Sequence, residues 1–305
     1  MQYFYEYEGV NDLLFEQIAS NKRKSFYFVG AFILFVLIVG AAITYAAFGN
    51  FLIGASIALI CMVLYVPISL MNGTKIVMKL NHGKELTSKQ HHPQLWNVVE
   101  DLAMVARIPV PKIYIIQEGS PNAFATGATP KKAAIAVTTG LLEKLTREEL
   151  EAVIAHEIAH IQNYDIRLLT ISLALVSVIA FLSDIGIRMV FGSDSKGSNP
   201  IVLVIALVLV ILSPLIAMVI QLALARNREY LADATGAELC RNPHALASAL
   251  EKISNDNDPV NDISRASACL YISEPFKKKR KKNEKTSLFA THPPVEKRIQ
   301  RLLNM

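Results

Sequence analysis

The chain has 305 residues, 52% of them apolar and only 19% charged, with a formal net charge of +5. That balance is too apolar for an ordinary water-soluble domain and predicts membrane segments. It argues against nucleic acid as a partner, because the basic residues gather in one run instead of spreading along a face with aromatics between them.

Residues 1–25 read as a cytosolic segment ending in Lys22, Arg23 and Lys24. Phe26 to Phe48 is a charge-free run of 23 residues, and Phe51 to Met71 is a second of 21 after a Gly49-Asn50 turn. At about 1.5 Å per residue each run is long enough for a hydrocarbon core of about 30 Å. Residues 26–71 are therefore predicted to form a transmembrane hairpin. Basic residues flank it on both outer sides (Lys22 to Lys24 before, Lys75, Lys79 and Lys84 after), and the turn carries none. The positive-inside rule then puts both ends in the cytoplasm.

Residues 72–165 read as a cytosolic part. Gln94 to Arg107 has the helical apolar spacing, with Leu95, Val98, Val99, Leu102 and Val105 on one side. Strands are predicted at Ile108 to Gln117 and Lys132 to Thr138 from β-branched and aromatic content. Between them Ser120 to Gly127 reads as a short extended segment. Leu168 to Phe191 and Pro200 to Ala225 are two further apolar runs, giving a second hairpin over 166–225. Asp184 and Arg188, four apart near the far end of the first, can pair there. The remaining 226–305 reads as cytosolic, with a helix capped by Asn242-Pro243, a solvated basic run at 277–282 and a last helix carrying Val295, Ile299 and Leu302 on one face. Cys61, Cys240 and Cys269 form no C-x-x-C pair, which fits reduced thiols. The predicted fold class is mainly α with a small β-sheet (α+β), with four transmembrane helices.

The chemistry gathers at Glu149 to Asp165, read as ELEAVIAHEIAHIQNYD. Thr146 and Glu149 match a capping box, and no Pro or Gly interrupts the run from there to Asp165. On that helix His156 and His160, four apart, share a face and can point at one metal ion. Glu157 leans beside it, placed to take a proton from water. The plain alternative is a pair of surface histidines on an ordinary helix. A catalytic zinc takes three protein ligands, so a third is needed on another element. Glu229 is the candidate. Asp233, one turn on, is placed to hold the second N–H of a zinc-bound histidine, His156 above all. Both apolar runs between His160 and Glu229 must cross the bilayer, or neither; one crossing would divide the ligands.

FEQIASNKRKS at 15–25, SPNAFATG at 120–127, VIAHEIAHIQNYD at 153–165, NREYLADATGA at 227–237 and THPPVEKRIQRL at 291–302 together resemble the HtpX-type membrane zinc metalloproteases, relatives of the type I CAAX prenyl proteases. The resemblance implies a gluzincin-like catalytic domain at the cytoplasmic face of the cell membrane. It also implies stress-linked quality control of membrane proteins. By motif, one zinc ion falls on His156, His160 and Glu229, with Glu157 as the base. It also sets the THPP motif near the cleft, which makes His292 a candidate donor to the developing oxyanion. Residues 121–127 would be an edge strand on which extended or unfolded segments of membrane proteins add, with Asn122 as a contact. The bilayer is the other expected partner, and the sequence leaves the oligomeric state open. Two rivals remain: a CAAX-type prenyl-peptide protease, and a non-catalytic membrane scaffold with structural zinc.

Overall fold

The computed structural model describes residues 30–45, 49–167, 228–260, 270–273 and 292–305, with isolated positions elsewhere. The segment 1–22, the basic run 277–282, Cys269 and most of the expected second hairpin lie outside the described residues. Two compact units emerge. One comprises Met1–Val66 with Ile171–Ala217, the other Pro67–Thr170 with Met218–Met305.

In the first unit residues 30–45 are helical, and a second helix, Phe51–Leu80, begins after Gly49-Asn50. The two meet through small residues. A Cβ on Gly40 would stand 2.8 Å from the Gly54 carbonyl and 2.9 Å from the Ala58 Cβ. Thr44 Oγ1 accepts the Gly54 N–H at 2.9 Å. Close approach through glycine lets dispersion and hydrogen bonding hold two helices whose outer faces stay apolar. Those faces carry Leu34, Ile38, Leu52, Ile60, Val63 and Leu64, all exposed. Among the described residues no helix is long and apolar enough to cross a membrane. In Phe51–Leu80 the side chains of Val66, Ser69 and Leu70 lie outside the description, so the unbroken described apolar stretch is 51–65. The helix continues past the apolar run to Leu80, with the Asn72 amide donating back to the Ile68 carbonyl at 3.1 Å. The expected pairing of Asp184 with Arg188 forms: Arg188 Nε lies 3.0 Å from Asp184 Oδ2.

The second unit is α+β. Its sheet has the order β1-β2-β4-β3, with β1 Lys84–Glu85, β2 Lys112–Ile116, β3 Ala123–Thr126 and β4 Ala134–Thr138. The β2–β4 pair is parallel, and the β1–β2 and β3–β4 pairs are antiparallel. β3 is therefore the last strand of the sheet, the edge that the resemblance implies for 121–127. Helix Pro93–Val105 buries Leu95, Val98, Val99 and Leu102 of the stripe its spacing predicts, whereas Val105, in its last turn, is exposed. Helix Pro243–Asn255 is capped by the Asn242 side chain, which accepts the Ala245 N–H at 3.0 Å. The last helix is Val295–Leu303. A short helix, Thr139–Lys144, has too few residues to show an apolar period; the Thr138 side chain caps it.

Candidate metal centre

Helix Arg147–Gln162 forms the middle of this unit. Its N-terminus is the expected capping box: Thr146 Oγ1 accepts the Glu149 N–H at 3.3 Å, and Glu149 Oε2 accepts the Thr146 N–H at 2.8 Å. Glu149 also takes the Ser248 hydroxyl and the Lys252 ammonium, both at 2.7 Å, which ties in helix Pro243–Asn255. All residues from Ala152 to Ile161 are buried, not merely one stripe. Such burial sets His156, Glu157 and His160 in the interior of the unit.

The second element is the helix over 228–240. Glu229, Asp233 and Gly236 fall at i, i+4 and i+7, one face. Gly236 allows the approach. A Cβ there would stand 2.9 Å from both the Cα and the N of His156. With the helices this close, Glu229 Oε1 comes 3.4 Å from His160 Nε2, and Oε2 comes 3.8 Å from His156 Nε2. One ligand atom from each of His156, His160 and Glu229 lies within 4.8 Å of the other two.

Behind each imidazole stands a carboxylate. Asp233 Oδ1 is 3.1 Å from His156 Nδ1, and Asp165 Oδ2 is 3.2 Å from His160 Nδ1. Each fixes a ring so that Nε2 turns to the centre. Asp165 has no role in the sequence reading, although it closes the quoted motif. It lies past the helix end, where Tyr164 at φ 61° turns the chain back. Arg298 is likewise absent from that reading. Its Nε and Nη2 hold Asp233 at 2.8 and 2.7 Å, and its Nη1 is 3.1 Å from Glu229 Oε2. A signal for it exists: position 298 lies three after Val295 and four before Leu302, on the apolar face. A cation there must meet buried anions.

His292 and Asn122 take different places. His292 Nδ1 is 3.1 Å from Glu229 Oε2, at the centre. Asn122 is buried, and its amide is engaged with Ser273: Nδ2 donates to the Ser273 carbonyl at 2.8 Å.

The electrostatics derive from burial. Burial is the largest influence on Glu157 and pushes its carboxyl up to about 7, against the nearby His160 cation and the Ala125 N–H that it accepts. Burial likewise lowers His156. It opposes charge on His160 too, but the Asp165 and Glu229 carboxylates outweigh it and push the ring up to about 10. Glu229 is buried as well, yet His292 and Arg298 hold it well below the usual carboxylate range. The donor set fits zinc: two imidazoles and one ionised carboxylate, borderline-soft nitrogen with oxygen. Glu229 Oε2 supports the fit. It is buried with no aligned hydrogen-bond partner among the described residues.

The profile of Peptidase family M48 matches residues 89–305. The chain belongs to peptidase family M48. It is similar to the Protease HtpX homolog of Listeria monocytogenes serotype 4a (strain HCC23), 52% identical over 307 residues, covering 96% of this chain and 100% of that one. The Protease HtpX homolog of Leuconostoc citreum (strain KM20) is 48% identical over 303 residues, again covering 96% and 100%. Its fold is similar to that of Ste24p in the crystal structure from S. mikatae, with a TM-score of 0.51 and 22% identity, covering 95% of this chain and 66% of that chain. As an HtpX-type M48 protein the chain is a zinc metalloprotease, a hydrolase of peptide bonds.

Proposed function

We propose that this M48 protein is a membrane-embedded endopeptidase that cuts extended segments of misfolded or damaged membrane proteins at the cytoplasmic face. The observation that carries the reading is the convergence of His156, His160 and Glu229 within 4.8 Å beside a buried Glu157. His156, His160 and Glu229 hold one zinc ion, whose bound chemistry is Lewis-acid polarisation and acidification of water. Asp233 and Asp165 orient the two rings. Glu157, with its carboxyl raised toward neutrality by burial, takes the proton of the attacking water and returns it to the leaving amine. His292, whose Nδ1 is 3.1 Å from Glu229 Oε2, would donate to the developing oxyanion. The outer edge of β3, beside Glu157, receives the substrate as an added strand, which demands a peptide whose backbone groups are unpaired.

The membrane reading rests on four apolar runs and on outward-facing Leu and Ile along the helical pair that packs through Gly40 and Gly54. The flanking lysines and arginines support a cytoplasmic side for the centre.

The test is zinc content and proteolysis of wild type and Glu157→Gln in detergent. An unfolded membrane protein and a prenylated peptide serve as alternative substrates. The expected result is zinc in both proteins and cleavage of the unfolded protein by wild type alone. Turnover by zinc-loaded Glu157→Gln would remove Glu157 from its role. Cleavage confined to the prenylated peptide would favour the prenyl-protease reading.

A further inference from the structure

The outer edge of β3 already carries a short segment of the chain, residues 270–273. The Thr138 N–H donates to the Asn122 carbonyl at 3.0 Å, so alternate residues from Asn122 on face β4. The backbones of Ala123 and Ala125 then face outward. At Ala123 the outward carbonyl accepts the Ile272 N–H at 2.9 Å. The Ile272 carbonyl accepts from Arg298 Nη1 at 3.0 Å. Ser273 is held at both ends by one side chain: its carbonyl takes Asn122 Nδ2 at 2.8 Å, and its N–H reaches Asn122 Oδ1 at 3.4 Å. Both main-chain polar groups of two consecutive residues are thus read by Asn122, Ala123 and Arg298. The next outward N–H along β3, that of Ala125, goes to Glu157.

Peptide recognition by strand addition uses such contacts: an edge carbonyl and polar side chains that grip backbone and ignore sequence. Tyr271 anchors the segment. It is fully buried, lies edge-on to Phe124 with ring centroids 4.6 Å apart, and its hydroxyl donates to Asn81 Oδ1 at 3.1 Å.

We propose that Tyr271 to Ser273 is an internal stand-in for substrate. It fills a backbone-reading subsite made by Asn122, Ala123 and Arg298, and an extended peptide must displace it to reach Glu157. The inference rests on the reading of β3 as the peptide-binding edge. It assigns Asn122 to peptide binding through the chain's own segment. The apparent affinity for a peptide is reduced by the fraction of molecules in which the segment holds its place.

The test uses the full chain as zinc-loaded Glu157→Gln in detergent, with a fluorescein-labelled unstructured peptide as probe. Binding is read by anisotropy, and backbone protection of 270–273 by hydrogen exchange. The expected result is faster exchange at 270–273 when peptide is bound. A second arm adds Ile272→Pro, which removes the N–H given to Ala123, and should tighten peptide binding by about 5-fold or more as the open fraction rises. Peptide that binds while 270–273 stays protected would overturn the proposal and leave the strand-addition reading standing. Equal or weaker binding by folded Ile272→Pro protein would overturn it too. No binding by Glu157→Gln at saturating peptide would overturn the strand-addition reading itself, and this inference with it.

Discussion

Arg298 grips both carboxylate oxygens of Asp233, with Nε and Nη2 at 2.8 and 2.7 Å, and Asp233 in turn stands 3.1 Å from His156 Nδ1. The last helix thereby sets the orientation of the His156 ring on another helix. A lysine cannot reproduce the fork, since its ammonium is a point charge on a flexible stem. Arg298→Lys is expected to keep the fold and lose about 10–100-fold in zinc affinity, the usual effect of disturbing a group behind a ligand. Competition with a chromogenic chelator measures it. Unchanged affinity would show that Asp233 holds its place without the guanidinium.

Gly236 sets the distance between the two ligand-bearing helices. Alanine is the better helix former by about 0.8–1.0 kcal/mol. Here the added methyl meets backbone at 2.9 Å on both the Cα and N of His156, which cannot rotate away. Overpacking of that kind costs about 1–3 kcal/mol, so the clash outweighs the propensity. Gly236→Ala is predicted to lower Tm and to weaken zinc binding together, as Glu229 is carried away from the rings. A higher Tm with wild-type zinc affinity would sink the close-approach argument.

Glu229 Oε1 and His160 Nε2 face each other at 3.4 Å among buried residues, in a donor set that fits zinc. Zinc binds the folded chain alone if its ligands meet only there, so free zinc at about 100 times Kd should stabilise by about 2.7 kcal/mol. A chelator is expected to lower Tm and added zinc to restore it. The zinc-dependent shift should nearly vanish in Glu229→Gln. A full shift in that variant would mean that the metal sits elsewhere.

The legibility of the site in the sequence depends on the range of each interaction. His156 and His160 stand out because a helix places i and i+4 together whatever surrounds it. The caps at Thr146 and Asn242 are equally local, and both form. Glu229 emerges from the need for a third ligand, and Asp233 from counting one turn on. Arg298 and Asp165 escape because their partners lie far along the chain or past a helix end. The order β1-β2-β4-β3 depends on pairings such as Ile113 with Ile135 that no local pattern specifies. The sequence makes Asn122 a candidate peptide contact, but that its amide meets Ser273 depends on a pairing across 151 positions.

Glu149 offers a pH test outside the metal centre. Burial is the largest influence on its carboxyl and raises it, yet Lys252, the Thr146 N–H and the Ser248 hydroxyl together hold it below the ordinary value of 4.5. A carboxyl lowered in the folded state stabilises the fold above its unfolded pKa. That stability is lost as the pH falls through the folded value. Glu149→Gln keeps the shape and removes the charge. The variant should lose about 1.5–3 kcal/mol near neutrality, the usual range for hydrogen bonds to a charged group. The gap between variant and wild type should narrow as the pH drops below 4.5, because wild-type Glu149 is then being protonated as well. Thermal melts of both proteins across that range measure it. A gap that stays constant, or that widens in acid, would mean that the ionised carboxylate does not hold helices Arg147–Gln162 and Pro243–Asn255 together.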